Sequence, residues 1–388
     1  MEITEEKIDT PNVGAALPPA DAHPKKVKPN WALKRRHPVV ITLVIAVAFI
    51  LQAFVITFVG FAIYVHIPLT AERGGFHLSF IIHNFDDEQY RMGHTIEMVN
   101  DTKRILVLTD MHYLGFPIFV DNVTDRRVRA MVEKIDPELI FVLGDNLSTF
   151  FNHWAQRHFI RKMDGFGIPW APIFGNHDAN GKATVEWLAQ AFYRYSEHSL
   201  FMWGPNNLGV PGNYFINIIN EGDLVHTFFM ISSKETAKLR TNYRPYTLEQ
   251  IQWYEWVLNG LARQAGRPVH EINSSIMLHI ALPIFQDAWN NATENDEVIS
   301  GDNRAGFWTP EHDNGFFERI YELGSTRNII AGHDHSNDFI VKYRGITMGT
   351  VLRCSGNIIL FGAPGTTNGG MVITVNRDGS TELQSVTL

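Results

Sequence analysis

The apolar residues of this chain form one long uninterrupted run near the N-terminus. Residues 39–64 are 26 consecutive positions without a charged side chain, and at about 1.5 Å per residue a helix of that length exceeds a hydrocarbon core of about 30 Å. A cleavable signal peptide has a much shorter apolar stretch of about 7 to 15 residues. The pattern therefore predicts a transmembrane helix over residues 39–66.

Charges are distributed unevenly around this run. A basic cluster precedes it, and no acidic residue lies at positions 25–36. The cluster consists of Lys25, Lys26, Lys28, Lys34, Arg35 and Arg36. Because basic flanks stay in the cytosol, we expect a single-pass type II membrane protein. Its cytosolic tail is residues 1–38, and the rest of the chain faces the lumen or the exterior.

Beyond the helix, short apolar runs alternate with segments of helical periodicity. The runs ILVL at 105–108 and LIFVL at 139–143 are typical of strands buried on both faces. Such a βαβ pattern predicts one α/β domain over residues 102–388, entered by a linker over residues 67–101. Further strands are predicted at 170–174, 227–231, 275–281, 328–331, 339–341 and 371–375, helices at 182–196 and from Thr247, and a polar loop at 285–315.

Composition and charge exclude several classes of protein. With 45% hydrophobic and 19% charged residues, the chain is neither disordered nor of low complexity. A net charge of -8 argues against binding to a nucleic-acid backbone. Cys354 is the one cysteine, so an intramolecular disulfide and a Cys-based zinc site are both excluded. Any metal is therefore held by His, Asp, Glu or Asn.

Residues of those types follow five of the predicted strands. Because ligands gather at the carboxyl ends of strands in α/β sheets, these side chains are expected in one crevice. The candidate ligands are Asp110, His112, Asp145, Asn176, His279, His333 and His335. Seven ligands exceed the needs of one tetrahedral ion and suit two ions that share a carboxylate.

The same residues resemble the motifs of the calcineurin-like metallophosphoesterase superfamily. Its blocks D-x-H, G-D, G-N-H-D/E, H and G-H-x-H occur in order over about residues 103–340. They are Asp110-Met-His112, Gly144-Asp145, Gly175-Asn176-His177-Asp178, His279 and Gly332-His333-Asp334-His335. The resemblance implies a calcineurin-like β-sandwich of two mixed sheets flanked by helices. It also implies that Asp145 bridges a first metal on Asp110, His112 and His335 and a second on Asn176, His279 and His333.

A finer resemblance is to the eukaryotic branch described as purple acid phosphatase-like. Two positions depart from true purple acid phosphatases. Ser148 stands where they place a tyrosine that binds ferric iron, and His112 stands where they lack a histidine. We therefore expect a colourless pair of divalent ions (Mn, Zn or Fe) rather than a purple ferric centre.

The expected activity is hydrolysis of a phosphate ester by a metal-bridging hydroxide. His177 is predicted to donate a proton to the leaving oxygen, with Asp178 or another carboxylate orienting its ring. A phosphatase is expected rather than a phosphodiesterase. The alternative is a non-enzymatic receptor or scaffold that retains the metallophosphoesterase fold. Five sequons, at Asn100, Asn122, Asn146, Asn273 and Asn291, are consistent with a glycoprotein.

Overall fold

The computed structural model describes residues 38–74, 93–115, 121–233, 243–356 and 367–388. The chain divides into two compact units, with the boundary after Ala62. The described part of the first unit is helical, and the second unit, residues 63–388, contains two β-sheets with helices around them.

Helix α1 spans Pro38–His66 and corresponds to the long apolar run. Within it, Val40–His66 is long and apolar enough to cross a membrane. Its apolar side chains are exposed, including Phe49 and Ile50 at 68% each. Such exposure on all sides is typical of a helix whose solvent is lipid.

The strands form two mixed sheets. One has seven strands in the order β1-β5-β6-β7-β8-β10-β9, and the other has five in the order β12-β11-β2-β3-β4. The calcineurin-like sandwich expected from the sequence is confirmed. The strands are β1 His94–Glu97, β2 Thr102–Leu108, β3 Leu139–Leu143, β4 Trp170–Ile173, β5 Asn213–Asn220, β6 Asp223–Ile231, β7 Ser274–Leu278, β8 Thr326–Ala331, β9 Ile340–Tyr343, β10 Ile346–Thr350, β11 Gly369–Asn376 and β12 Thr381–Thr387.

Helices cover the sheets and pack their apolar faces inward. Helix α5 begins with the predicted capping box, in which Gln250 N donates to Thr247 Oγ1 and Thr247 N donates to Gln250 Oε1. The helices after α1 are α2 Asn122–Ile135, α3 Asn152–Asp164, α4 Val185–Tyr195, α5 Leu248–Ala265, α6 Ile284–Glu294 and α7 Phe316–Leu323.

The core between the sheets comes from continuous apolar strands. Every residue of β3 is buried, as expected for a strand covered on both faces. Phe141 of β3 meets Phe228 of β6 edge to face, with ring centroids 5.0 Å apart. The two sheets are thus packed directly against each other, which brings their strand ends to a common edge.

The prediction of a polar loop over residues 285–315 was wrong at its start. Residues Ile284–Glu294 form helix α6. Phe285, Ala288 and Ala292 lie on its buried face at helical spacing, while the polar residues between them face outward. The polarity of the segment is that of a half-exposed helix, and periodicity is the better guide there.

Candidate metal centre

The candidate ligands lie just past the carboxyl ends of five strands, β2, β3, β4, β7 and β8. Strands β2 and β3 are parallel neighbours in one sheet, and β7 and β8 are parallel neighbours in the other. Each pair therefore ends at one edge, where ligands gather in α/β sheets. Two groups of buried or half-buried side chains lie at this edge. Within each group, the ligand atoms are all within 4.8 Å of one another. The groups are Asp110, His112 and His335, and Asp145, His279 and His333.

The first group surrounds the carboxylate of Asp110. Its Oδ2 accepts hydrogen bonds from Thr109 Oγ1 at 2.8 Å and from His333 N at 2.9 Å. Its Oδ1 points the other way and lies 3.2 Å from His335 Nε2 and 3.6 Å from His112 Nε2. One oxygen thus fixes the carboxylate, and the other is available to a cation.

In the second group the two oxygens of Asp145 have the same two roles, one held by a hydrogen bond and one available to a cation. Its Oδ1 accepts from His177 N at 2.8 Å, and its Oδ2 lies 3.3 Å from His279 Nε2. His279 Nδ1 donates to Leu143 O at 2.7 Å, which leaves Nε2 as the ligand atom. Asn176 Oδ1 lies 3.1 Å from that same Nε2. All seven residues predicted as ligands are therefore at one place.

The backbone is strained at this place. Asp110, His112, Asp145 and His333 have φ values of 53°, 49°, 48° and 69°. Residues other than glycine rarely adopt this left-handed region, and strain of this kind collects at functional sites. The strain turns the side chains off the strand ends toward a common centre.

Two glycines allow the strand ends to approach closely. A Cβ on Gly175 would overlap the Asp145 carboxylate, and one on Gly332 would overlap the Thr109 hydroxyl. Neither glycine has a positive φ. The requirement at both positions is therefore for space rather than for backbone freedom.

The side chains present are suited to cations. Asp110 Oδ1, Asp145 Oδ2 and both ring nitrogens of His333 are buried and make no well-formed hydrogen bond to the described residues. Buried polar atoms normally have partners. Oxygen and imidazole ligands of this kind suit divalent Mn, Zn or Fe.

The ionised Asp110 and Asp145 and the neutral His333 are in the forms that bind a metal, whereas His279 must first lose a proton. Burial opposes ionisation of Asp110 and Asp145, but neighbouring imidazoles outweigh it and lower the pKa of both carboxyls. Burial, aided by the charge of His279, lowers the pKa of His333 to about 3. Burial disfavours charge on His279, but Asp145 and Asp110 outweigh it and raise its pKa to about 9. A cation would replace that proton, because ligands bind metals in their deprotonated form.

The two residues predicted to be catalytic lie in different environments. The His177 side chain is 29% exposed, with its Nε2 4.0 Å from Asp145 Oδ2. Asp178 is buried, and its oxygens accept from Gly175 N at 2.7 Å and Leu147 N at 3.0 Å. Burial, together with the charge of Asp145, raises the pKa of Asp178 to about 8.

Two further residues at the site escaped the sequence analysis. The ring of Tyr243 meets His333 edge to face at 4.6 Å, although no motif marks it. Asn180 Nδ2 lies 3.2 Å from His177 Nδ1. Asn180 follows the Gly-Asn-His-Asp block by two positions, and this proximity was the one signal that could have identified it.

Comparison with known proteins places this geometry in a family. Residues 103–337 match the family described as calcineurin-like phosphoesterase. The chain is 25% identical over 289 residues to "Probable inactive purple acid phosphatase 14" of Arabidopsis thaliana, covering 63% of this chain and 68% of that protein. It is 23% identical over 243 residues to "Phosphatase DCR2" of Saccharomyces cerevisiae, covering 57% of this chain and 40% of that protein.

A similar solved structure is a dimetal phosphatase from Danio rerio, with a TM-score of 0.45 and 11% identity. The similarity covers 74% of this chain and 99% of that one. The family match spans more than half of the chain, and it includes the strand ends that carry the two ligand groups. The chain therefore belongs to the calcineurin-like phosphoesterase family, Metallophos.

Proposed function

We propose that this protein is a membrane-anchored dimetal phosphoesterase that acts as a phosphatase on phosphate esters. The observation that carries the proposal is the pair of ligand groups, each with ligand atoms within 4.8 Å of one another. Both lie at the carboxyl ends of parallel strands, where the family places its reactive centre. Two divalent ions (Mn, Zn or Fe) would supply an activated water and neutralise charge on the phosphate oxygens.

Seven residues would hold the two ions. Asp110, His112 and His335 would bind the first, and Asn176, His279 and His333 the second. Asp145 would contribute to both, since its Oδ2 lies 3.3 Å from His279 Nε2 of the second group and its charge acts on His112 of the first. Thr109 and the backbone N–H of His333 orient the Asp110 carboxylate, and Leu143 O fixes the ring of His279. Such outer partners hold ligands in the geometry that a metal requires.

His177 is proposed as the proton donor to the leaving oxygen. The Asn180 amide lies against His177 Nδ1, with Asn180 Nδ2 at 3.2 Å, so that Nε2 would carry the proton that is transferred. That nitrogen is on the side of Asp145, and the side chain is accessible to a substrate. The proton donor would be the protonated ring, which transfers its Nε2 proton to the leaving oxygen and becomes a neutral imidazole.

Asp178 is proposed to position the catalytic loop rather than to touch His177. Its carboxylate accepts from the backbone N–H groups of Gly175 and Leu147, which lie on two different strand exits. These two bonds tie the loop bearing Asn176 and His177 to the loop bearing Asp145. The effect of Asp178 on His177 is therefore through the backbone.

A second candidate function is a receptor or scaffold without turnover. It is favoured by the relative in Arabidopsis thaliana whose name describes it as probably inactive. Against it stand the complete ligand set and the retained His177, since a site released from catalysis has no need of either. Metal binding alone does not separate the two functions, whereas turnover does.

Anchoring by α1 with the second unit in the lumen or outside the cell is part of the proposal. The length of Val40–His66 and the basic cluster before it support this orientation. Three of the sequon asparagines (Asn100, Asn122 and Asn291) are exposed. Asn146 is buried, with its Nδ2 bonded to Ile173 O, so it is not expected to carry a glycan.

The test is an assay of the full-length protein purified in detergent. With added Mn²⁺ or Zn²⁺, we expect hydrolysis of 4-nitrophenyl phosphate that exceeds hydrolysis of bis(4-nitrophenyl) phosphate. Chelation should abolish it. A preparation that contains bound metal and hydrolyses neither ester would favour the receptor or scaffold.

A further inference from the structure

The first residues of the second unit are joined to an exposed aromatic surface. We call this surface the juxtamembrane patch, and it consists of Tyr64, Ile67, Phe150, Phe151 and Trp154. The rings of Phe151 and Trp154 stack with centroids 4.9 Å apart, and Phe150 meets Phe151 edge to face at 5.3 Å. Phe150, Phe151 and Trp154 therefore form one continuous aromatic surface where the chain enters α3.

Lys182 connects the two halves of the patch. Its Nζ donates to the carbonyl oxygens of Tyr64 and Ile67, and its backbone N–H donates to Phe150 O at 2.8 Å. The ammonium also lies 4.1 Å from the centroid of the Tyr64 ring. The Lys182 side chain is buried in this arrangement. Its contacts with Tyr64 and Ile67 are therefore part of the packed structure of the second unit.

Much of the patch is exposed to solvent. Ile67 is 61% exposed, Trp154 49% and Phe150 37%. Tyr and Trp are enriched at the boundary between lipid and water, because one end of each ring is apolar and the other is polar. Tyr64 lies near the end of α1 and Ile67 follows the helix directly, so both are at the end of the segment that is long enough to cross a bilayer.

The patch adjoins the loop that carries Asn176 and His177. Leu69 pairs with this loop through Leu69 N to Lys182 O and Thr184 N to Leu69 O, both at 2.9 Å. Asn180, which contacts His177, is two residues before Lys182. Two residues of extended chain span at most about 7 Å.

The headgroup layer of a bilayer has a thickness similar to this span of about 7 Å. The hydrocarbon core and the whole bilayer differ by about 10 to 15 Å, which is about 5 to 7 Å on each side. The separation of Lys182 at the patch from Asn180 beside His177 is thus comparable to the thickness of that layer.

We propose that the juxtamembrane patch lies in the headgroup layer of the bilayer entered by α1, and that the adjoining metal centre takes a phosphate ester carried by a membrane lipid. This inference rests on the proposed function and names its substrate class. Lipid is the occupant of the patch, because the patch continues from an apolar segment that is long enough to span a bilayer.

A fluorescent label tests the placement without using activity. Cys354, the one cysteine in the chain, is buried, so an introduced cysteine can be labelled selectively. Full-length Phe150→Cys carrying an NBD label is reconstituted in phosphatidylcholine nanodiscs, some with nitroxide-labelled lipid. The matched control is Val99→Cys. Val99 is 80% exposed and precedes β2, whereas the metal centre lies at the other end of this strand. Quenching at 150 and not at 99 is expected, and equal quenching at both positions, or none, overturns the proposal.

Turnover tests the substrate class. Nanodiscs containing phosphatidic acid are compared with soluble 4-nitrophenyl phosphate for the full-length protein, Trp154→Ser and the control Val99→Ser. We expect Trp154→Ser to lower phosphate release from phosphatidic acid about tenfold and to leave hydrolysis of the soluble ester unchanged. Hydrolysis of the soluble ester without hydrolysis of phosphatidic acid overturns the lipid assignment alone. Hydrolysis of neither ester overturns the proposed function and the lipid assignment with it, while the quenching result still decides where the patch lies.

Discussion

The Nε2 atoms of His112 and His335 lie 3.0 Å apart, although the two residues are separated by 223 positions in the sequence. Both rings also face Asp110 Oδ1. Two imidazole nitrogens and a carboxylate oxygen that converge in a buried site form a set of ligands for one cation. The sheet edges bring them together, so metal binding depends on the fold of the whole second unit.

Replacing the carboxylate shared by the two proposed ions should empty the site. Asp145→Asn retains the shape of the side chain but removes its charge. We expect bound metal, measured by mass spectrometry, to fall from two ions per chain to one or none. Phosphatase activity should fall by at least about 100-fold, since changes to outer partners of ligands already cost 10- to 100-fold. Asp101→Asn is the control, because Asp101 is exposed and pairs with Arg377. Full metal content and activity in Asp145→Asn would exclude the bridging role.

Removing the proposed proton donor should separate binding from chemistry. His177→Ala should keep both metal ions and lose about 10²- to 10⁴-fold in kcat, the usual contribution of general acid catalysis. The loss should be smaller for an activated ester such as 4-nitrophenyl phosphate, whose leaving group needs little protonation. His270→Ala, at an exposed position, serves as the control. An equal loss for all leaving groups would argue against proton donation by His177.

The space beside Gly175 should be as important as the ligands. In Gly175→Ala the new methyl group would overlap the Asp145 carboxylate, and overpacking costs about 1 to 3 kcal/mol. We expect loss of metal and a lower unfolding temperature. Gly167→Ala is the matched control: it has a positive φ but open space around it, so it should be strained and still bind metal. Normal metal binding by Gly175→Ala would show that the close approach is dispensable.

Stability should fall in mild acid because of a buried histidine far from the metal centre. His226 Nε2 lies 2.8 Å from Ser275 Oγ, and burial lowers its pKa from 6.5 to about 4. Between these values the unfolded chain takes up a proton that the folded protein does not. The contribution of the neutral ring is therefore complete above pH 6.5 and is lost toward pH 4, by up to about 3 kcal/mol.

Chemical denaturation of the full-length protein in detergent at several pH values measures this dependence. His226→Gln should be less stable near neutral pH but lose less stability on acidification than the parent protein. His270→Gln should behave as the parent does. An unchanged slope in His226→Gln would assign the acid sensitivity to other groups.

The site was accessible to sequence reasoning because its residues directly follow apolar strands. Asp110 follows β2, and His279 follows β7. Such adjacency places the residue types at one sheet edge before any distance is known. The direction in which an individual side chain points cannot be predicted in this way. Asp178 points at two backbone N–H groups, and nothing in the motif indicates that.

Two of the elements that the sequence analysis missed, α3 and β5, have polar residues on their buried faces. Helix α3 buries Asn152, His153, Gln156 and His158 beside its apolar residues, so its inner face does not stand out by hydrophobicity. Asn152 is bonded to Asp178 O and to both backbone groups of Ala183. Tertiary hydrogen bonds of this kind, which satisfy the Asn152 amide, cannot be anticipated by a periodicity argument. Strand β5 was missed for the same reason, since Asn217 is buried within it.

The most direct test of the central claim is an electron paramagnetic resonance spectrum of the full-length protein loaded with Mn²⁺. Two ions held by adjacent ligand groups would be about 3.5 to 4 Å apart, as in other two-metal sites. The spectrum is expected to show a spin-coupled pair that appears as the second equivalent binds and is absent in Asp145→Asn. A spectrum of isolated Mn²⁺ at every ratio of metal to protein would contradict the dimetal centre.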